Sequence, residues 1–208
     1  FKINEKTFSF QFLLPEATSY SISATIVLVK YLDLPSNASF SKFKIPPSRS
    51  SVFKGIRNTT IVDSSYNSNF ESASEIINMF NKIESDKKWA VIGDMLEQGK
   101  EEGEEHQKLA NLIVGSGYQR VVLLGPRIIK HGLEILKKHY GKNVIAFTSP
   151  KEVLEYLKLN LEGGETILFK GARFIEGVIE HLLKNPEDAK KLSRREKIWE
   201  IRRKKWGL

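Results

Sequence analysis

From about Phe53 onward, strand-like apolar runs alternate with helix-like amphipathic runs, and this alternation limits the folds open to the chain more than any other feature. The strand-like runs are Thr60 to Val62, Trp89 to Ile92, Arg120 to Leu124, Asn143 to Phe147 and Thr166 to Phe169. Between and after them come helix-like runs near 70–84, 102–115, 127–139, 150–161 and 173–184. Strands separated by helices of this length cannot pair as hairpins. They predict βαβ units and an α/β fold, a mainly parallel sheet with helices on both faces. Local punctuation agrees. Asn69 is placed to cap a helix in which Phe70, Ala73, Ile76, Ile77 and Phe80 recur at helical spacing. Ser149-Pro150-Lys151-Glu152 supplies a cap, a first-turn proline and a capping-box acid, and Gly163-Gly164 follows that helix.

The stretch before this block reads differently. Thr7 to Leu13 alternates polar and apolar residues, predicting a half-buried strand with Phe8, Phe10 and Phe12 on one face. Tyr20 to Leu32 is an apolar run of helix length, and Leu34 to Ser51, rich in Ser, Pro and Lys, reads as a linker. The organisation expected is therefore 1–45 as part of one domain, 46–184 as a second, and 185–208 as a basic helical tail. The first residue is Phe1 rather than Met, which suggests a piece of a longer protein.

Composition removes several function classes. There is no cysteine, so disulfides and thiolate metal sites are excluded, and the four histidines lack ligand spacing; no metal site is expected. No apolar run reaches the roughly 20 residues of a membrane span, and a cytoplasmic setting is expected. The formal charge is +8, but Pro186 to Leu208 holds nine Lys/Arg against four Asp/Glu, an excess of five. The body is near neutral, and no nucleic-acid partner is expected. A tail of this kind packs on its domain or extends loosely, with weak contact to an anionic membrane surface as the alternative.

In a parallel sheet, ligands gather at the carboxyl ends of the strands. Three such ends carry chemically useful residues. The first is Asp63-Ser64-Ser65-Tyr66-Asn67-Ser68-Asn69. The second is Gly93-Asp94-Met95-Leu96-Glu97-Gln98-Gly99, followed by His106. The third is Lys170-Gly171-Ala172-Arg173, two cations separated by small residues, suited to an anion clamp. No phosphate-binding GxxxxGK[ST] loop is present: Gly99-Lys100 is followed by Glu101, and Gly141-Lys142 precedes a strand.

In this order and at these separations, the three motifs resemble the C-terminal domain of the Mur ligases, most nearly their D-alanyl-D-alanine-adding branch. The resemblance runs to about Lys184. Residues from Phe1 to about Ile45 resemble the end of that family's central ATPase domain, with Leu14-Pro15-Glu16 where the family has Leu-Pro-Gly. It implies a Rossmann-like domain preceded by a partial central-domain segment, and an ATP-dependent amide ligase. In such an enzyme a carboxylate is phosphorylated by ATP and then attacked by an amine. UDP-MurNAc-tripeptide and D-alanyl-D-alanine are the substrates implied, and Mg2+ and ATP phosphates would be held mainly upstream of this chain. A monomer is expected, and this chain alone should be inactive.

Carried over by position, the resemblance assigns nucleotide contacts to Arg49, Asp63, Ser64, Tyr66, Asn67 and Asn69. It assigns an acceptor cleft to Asp94, Glu97 and His106, and acceptor or phosphate contacts to Lys170 and Arg173. Departures accompany it. Ser64 replaces the second of two consecutive acids, Glu16-Ala17-Thr18-Ser19 replaces Gly-x-His-Asn, and Phe70 replaces a proline. They leave a second reading open, a Mur-like binding module without catalysis, and a third, another amide ligase of the same superfamily.

Overall fold

The computed structural model describes all residues except 1, 4, 5, 9, 11, 12, 36–39, 41 and 42. The chain divides into two compact units, Phe1–Ile45 and Pro46–Leu208.

In the first unit, β1 (Lys2–Ile3) pairs antiparallel with β2 (Lys6–Thr7), and helix α1 spans Thr18–Tyr31. The period-two strand expected over Thr7 to Leu13 falls partly outside the described residues, which omit Ser9, Gln11 and Phe12; of the described ones only Thr7 is in a ladder. Ladder pairing stops at Thr7, and the rings of Phe8 and Phe10 pack on Phe40 instead, at 5.6 and 5.2 Å between centroids. Alternation supplies a face for a strand, but a strand persists only where a neighbour takes its backbone hydrogen bonds. Within α1 only Ile22 is buried. Tyr20 and Tyr31 are exposed.

The second unit holds a six-stranded sheet built from β3 (Ser51–Lys54), β4 (Thr60–Ser64), β5 (Lys88–Gly93), β6 (Arg120–Leu124), β7 (Val144–Phe147) and β8 (Thr166–Lys170). The strand order is β3-β4-β8-β5-β6-β7. All pairings are parallel except that of β3 with β4, whose antiparallel register sets Ser51 opposite Asp63. The sequence reading placed Ser51 at the end of a linker and missed β3. Only Phe53 of its four residues is buried, too little to show as a pattern.

The helices are α2 (Phe70–Asn81), α3 (Glu102–Val114), α4 (Pro126–Tyr140), α5 (Pro150–Asn160), α6 (Ile175–Glu180) and α7 (Lys197–Lys205). Strand side chains point alternately to opposite faces, so each central strand feeds two cores. Ala90 and Ile92 of β5, Val121 and Leu123 of β6 and Leu168 of β8 pack under α2, α3 and α4. Trp89, Val91, Val122, Leu124, Ile167 and Phe169 pack on the other face with α5 and α6. The helix expected over 173–184 is shorter, because Arg173 and Phe174 take positive φ (78° and 63°) and delay its start to Ile175.

This arrangement determines where a ligand can enter. The connection leaving β4 runs to α2 on one face. That leaving β8 runs to α6 on the other, and that leaving β5 returns to the first face through α3. The chain therefore diverges on both sides of β8, and such divergence points are where ligands bind in parallel sheets, here beside Lys170 at the carboxyl end of β8.

Candidate nucleotide-facing site

Two glycines let the strand ends meet. Gly171 has φ +121°, and a Cβ there would lie 2.6 Å from the backbone of Gly93; a Cβ on Gly93 would lie 2.4 Å from the Ala172 carbonyl oxygen. Only glycine at both positions permits this approach. It brings the end of β8 against the end of β5, where Ala172 N donates to Asp94 O at 3.0 Å.

Asp94 organises that side. It is fully buried, and its Oδ1 accepts from the backbone N–H groups of Arg127 and Ile128, both at 3.0 Å. It thereby caps α4, whose own cap residue, Gly125, has no side chain. A Cβ on Gly125 would lie 2.5 Å from Asp94 Cγ, so the glycine makes room for the borrowed cap. Asp94 Oδ2 takes Arg173 Nε at 3.0 Å, with Arg127 Nη1 at 3.8 Å. His106 is also fully buried. Its Nε2 accepts from Met95 N at 3.0 Å and its Nδ1–H donates to Glu102 O at 2.7 Å, so it holds the loop after β5 with both ring nitrogens engaged. Glu97 is exposed on that loop with φ +63°.

The other side gathers around β4 and the entry to β3. Asp63 is fully buried and accepts from Ser48 Oγ (2.7 Å), Ser65 Oγ (2.7 Å) and Ser65 N (3.0 Å). Burial raises its pKa against the opposing effect of these donors. Ser64 is buried beside it. Tyr66 N donates to Ser48 O, and the Arg49 guanidinium lies 4.6 Å from the centroid of the half-exposed Tyr66 ring. Asn67 Oδ1 accepts from Ser68 N, while Asn69 caps α2 through Ser72 N at 3.0 Å. Ser68 Oγ is buried without a hydrogen-bond partner.

Lys170 lies between the two sides. It is 2% exposed, and its ammonium donates to Asn67 O at 2.7 Å and Ser72 Oγ at 3.0 Å. Burial pushes its pKa down to about 8, the Arg49 charge adds to the effect, and Asp63 opposes it. Lys170 and Arg173, expected as one clamp, are thus held by different partners on the two sides of β8. Sequence reasoning missed Ser48, Ser72, Arg127 and the tail residues Ser193 and Arg194. Of these, only Ser72 had a local signal, as the N3 partner of the Asn69 cap.

For a nucleotide the fit is good: the half-exposed Tyr66 ring beside the Arg49 guanidinium, the buried Lys170 ammonium and the unpartnered Ser68 hydroxyl gather where β3 begins and β4 and β8 end. For magnesium it is poor. Among the described residues no three His, Asp or Glu side chains cluster as ligands would, and Asp63 and Asp94 bind this domain's own donors. The family model described as "Mur ligase, glutamate ligase domain" matches residues 48–173, from Ser48 to Arg173. The chain belongs to the Mur ligase family.

Among curated relatives, the UDP-N-acetylmuramoyl-tripeptide–D-alanyl-D-alanine ligase of Bacillus subtilis is 29% identical over 153 residues, covering 70% of this chain and 33% of that protein. The ligase of the same name from Rickettsia prowazekii is 26% identical over 121 residues, covering 58% and 26%. This Mur ligase chain spans about a third or less of their length. In fold it is similar to MurF ligase of Thermotoga maritima in complex with ADP, with a TM-score of 0.67 and 23% identity over 83% of this chain and 39% of that one. It is likewise similar to MurF of Acinetobacter baumannii, with a TM-score of 0.68 and 19% identity over 82% and 38%. Among the described residues no helix is long and apolar enough to cross a membrane.

Proposed function

We propose that this Mur ligase chain is part of an ATP-dependent amide ligase that joins D-alanyl-D-alanine to UDP-MurNAc-tripeptide. The observation that carries the reading is the Arg49–Tyr66 stack beside the buried ammonium of Lys170 at the divergence points of the sheet. In this reading Tyr66 offers its ring to the nucleoside, Arg49 neutralises phosphate charge, and Ser68 Oγ is free to donate to the ligand. Lys170 is a desolvated cation, protonated below about pH 8, that pairs with an arriving anion. ATP, when bound, supplies the phosphoryl group that activates the substrate carboxylate. The incoming amine then forms the C–N bond as the C–O bond to phosphate breaks, and the amine proton leaves to solvent. Such catalysis is positioning and charge neutralisation. In the same reading Arg173, held by Asp94, orients the acceptor's carboxylate. Magnesium is not assigned to this domain's residues.

The alternative, a binding module without turnover, is favoured by one observation: Ser64, at the position of the family's second acid, is a buried hydroxyl and not a carboxylate. Phosphate release by the full-length parent protein separates the two. With Mg2+ and ATP, release is expected only when UDP-MurNAc-tripeptide and D-alanyl-D-alanine are both present. No release by folded protein overturns the ligase reading.

A further inference from the structure

The family match ends at Arg173, yet the segment beyond it closes over the nucleotide-facing loop. Glu176, on α6, is fully buried, and its carboxylate is met by arginines of the C-terminal segment: Arg194 Nη1 lies 3.1 Å from Oε2, and Arg203 Nη1 lies 3.9 Å from Oε1. A buried carboxylate left unpaired is strongly destabilising, so Glu176 holds this segment in place. Seating is further defined at Gly177, where a Cβ would lie 2.7 Å from Arg203 Cδ and 2.8 Å from Leu208 Cδ1. Leu192 is buried in the same core.

From that anchorage the segment reaches the loop twice. Ser193 N donates to Ser48 Oγ at 3.3 Å, and Ser193 Oγ lies 3.0 Å from the same oxygen, whose hydrogen bond to Asp63 fixes the residue before Arg49. Arg194, held at φ +57°, donates Nη2 to Tyr66 O at 2.8 Å, and its guanidinium lies 5.9 Å from the Tyr66 ring centroid and 5.1 Å from that of Trp199. Arg203 Nη1 donates to Arg194 O at 2.7 Å. Tyr66 is thus gripped at both ends of its backbone, its N–H by Ser48 and its C=O by Arg194, while Arg49 stacks on its ring.

We propose that Arg194 is a positioning residue for nucleotide binding, acting from the C-terminal segment to hold Tyr66, and through it Arg49, in the geometry that receives the nucleotide. The inference rests on the nucleotide reading above. It explains why a guanidinium serves there: one planar fork reaches Glu176 and Tyr66 together, which a lysine cannot do.

The test uses the full-length parent protein. Arg194→Lys keeps a positive charge beside Glu176 but loses the forked grip. It is expected to raise the KM for ATP and the dissociation constant of ADP about tenfold, with kcat and the KM for D-alanyl-D-alanine within about twofold of wild type. Should Arg194→Lys fail to fold, the paired variant Arg194→Gln/Glu176→Gln removes the buried charge together with its partner and is read by the same split. Unchanged nucleotide constants, or a uniform loss across kcat and both substrates, overturn the proposal. A wild-type protein that binds no ADP overturns the underlying nucleotide reading as well, which distinguishes the two failures.

Discussion

Replacing Asp94 with alanine is expected to lower the unfolding free energy of the chain by about 3–5 kcal/mol, the range for removing one partner of a buried ion pair. The side chain is fully buried and meets two backbone N–H groups and two guanidinium groups. Its loss strips the cap from α4 and leaves Arg173, whose backbone is in the left-handed region, without its carboxylate. Asn at the same position keeps an oxygen for the helix N–H groups but loses the charge, so its effect should be roughly half as large. Urea denaturation checks this through the midpoint at constant slope. A loss under about 1 kcal/mol for Asp94→Ala would contradict the role given to it.

Lys170 should instead reveal itself through pH. Its folded pKa, about 8, lies below its ordinary value of 10.5. Below pH 8 the ammonium is charged in both states, and the folded protein bears the full desolvation penalty. Between pH 8 and 10.5 the folded protein releases the proton while the unfolded chain keeps it, so stability rises with pH. Above 10.5 the gain is complete, and it is lost again as pH falls through 8. A displacement of this size corresponds to roughly 3 kcal/mol. Lys170→Met should remove that rise, which would appear as a difference between wild-type and variant stability curves over the window. At pH 7 the variant should be at least as stable as wild type, since the relieved desolvation outweighs the hydrogen bonds lost by Asn67 O and Ser72 Oγ. Parallel curves would contradict a desolvated lysine.

The parallel sheet was legible because most of its strands are short apolar runs buried on both faces, and α2 and α5 carry capping residues of their own. The edge strand β3 was not, since a half-exposed strand with one buried residue is defined by its partner, β4. Nor, among the described residues, was the end of pairing at Thr7, where the pattern continues without a ladder. In the site, the strand-end loops could be read from sequence, and Tyr66, Lys170 and Asp94 all stand at them; Arg49, in the stretch that reads as a linker, was assigned by the resemblance alone. Their supports could not. Ser48 and Ser193 are 145 residues apart, and nothing near either announces the other. Asp94 reads as an acid at a strand tip until Gly125 and the uncapped start of α4 give it something to cap. His106 reads as a cleft residue until its two nitrogens find Met95 and Glu102.

Whether the Arg49–Tyr66 face receives a nucleotide is decided by calorimetric titration of Mg·ADP into the full-length parent protein and its Tyr66→Ala variant. Tyr66 is 46% exposed, so the variant should fold normally. Wild type is expected to bind, with affinity falling about tenfold or more in the variant through loss of the stacking face. Equal affinity in the two proteins would show that Tyr66 does not meet the nucleotide.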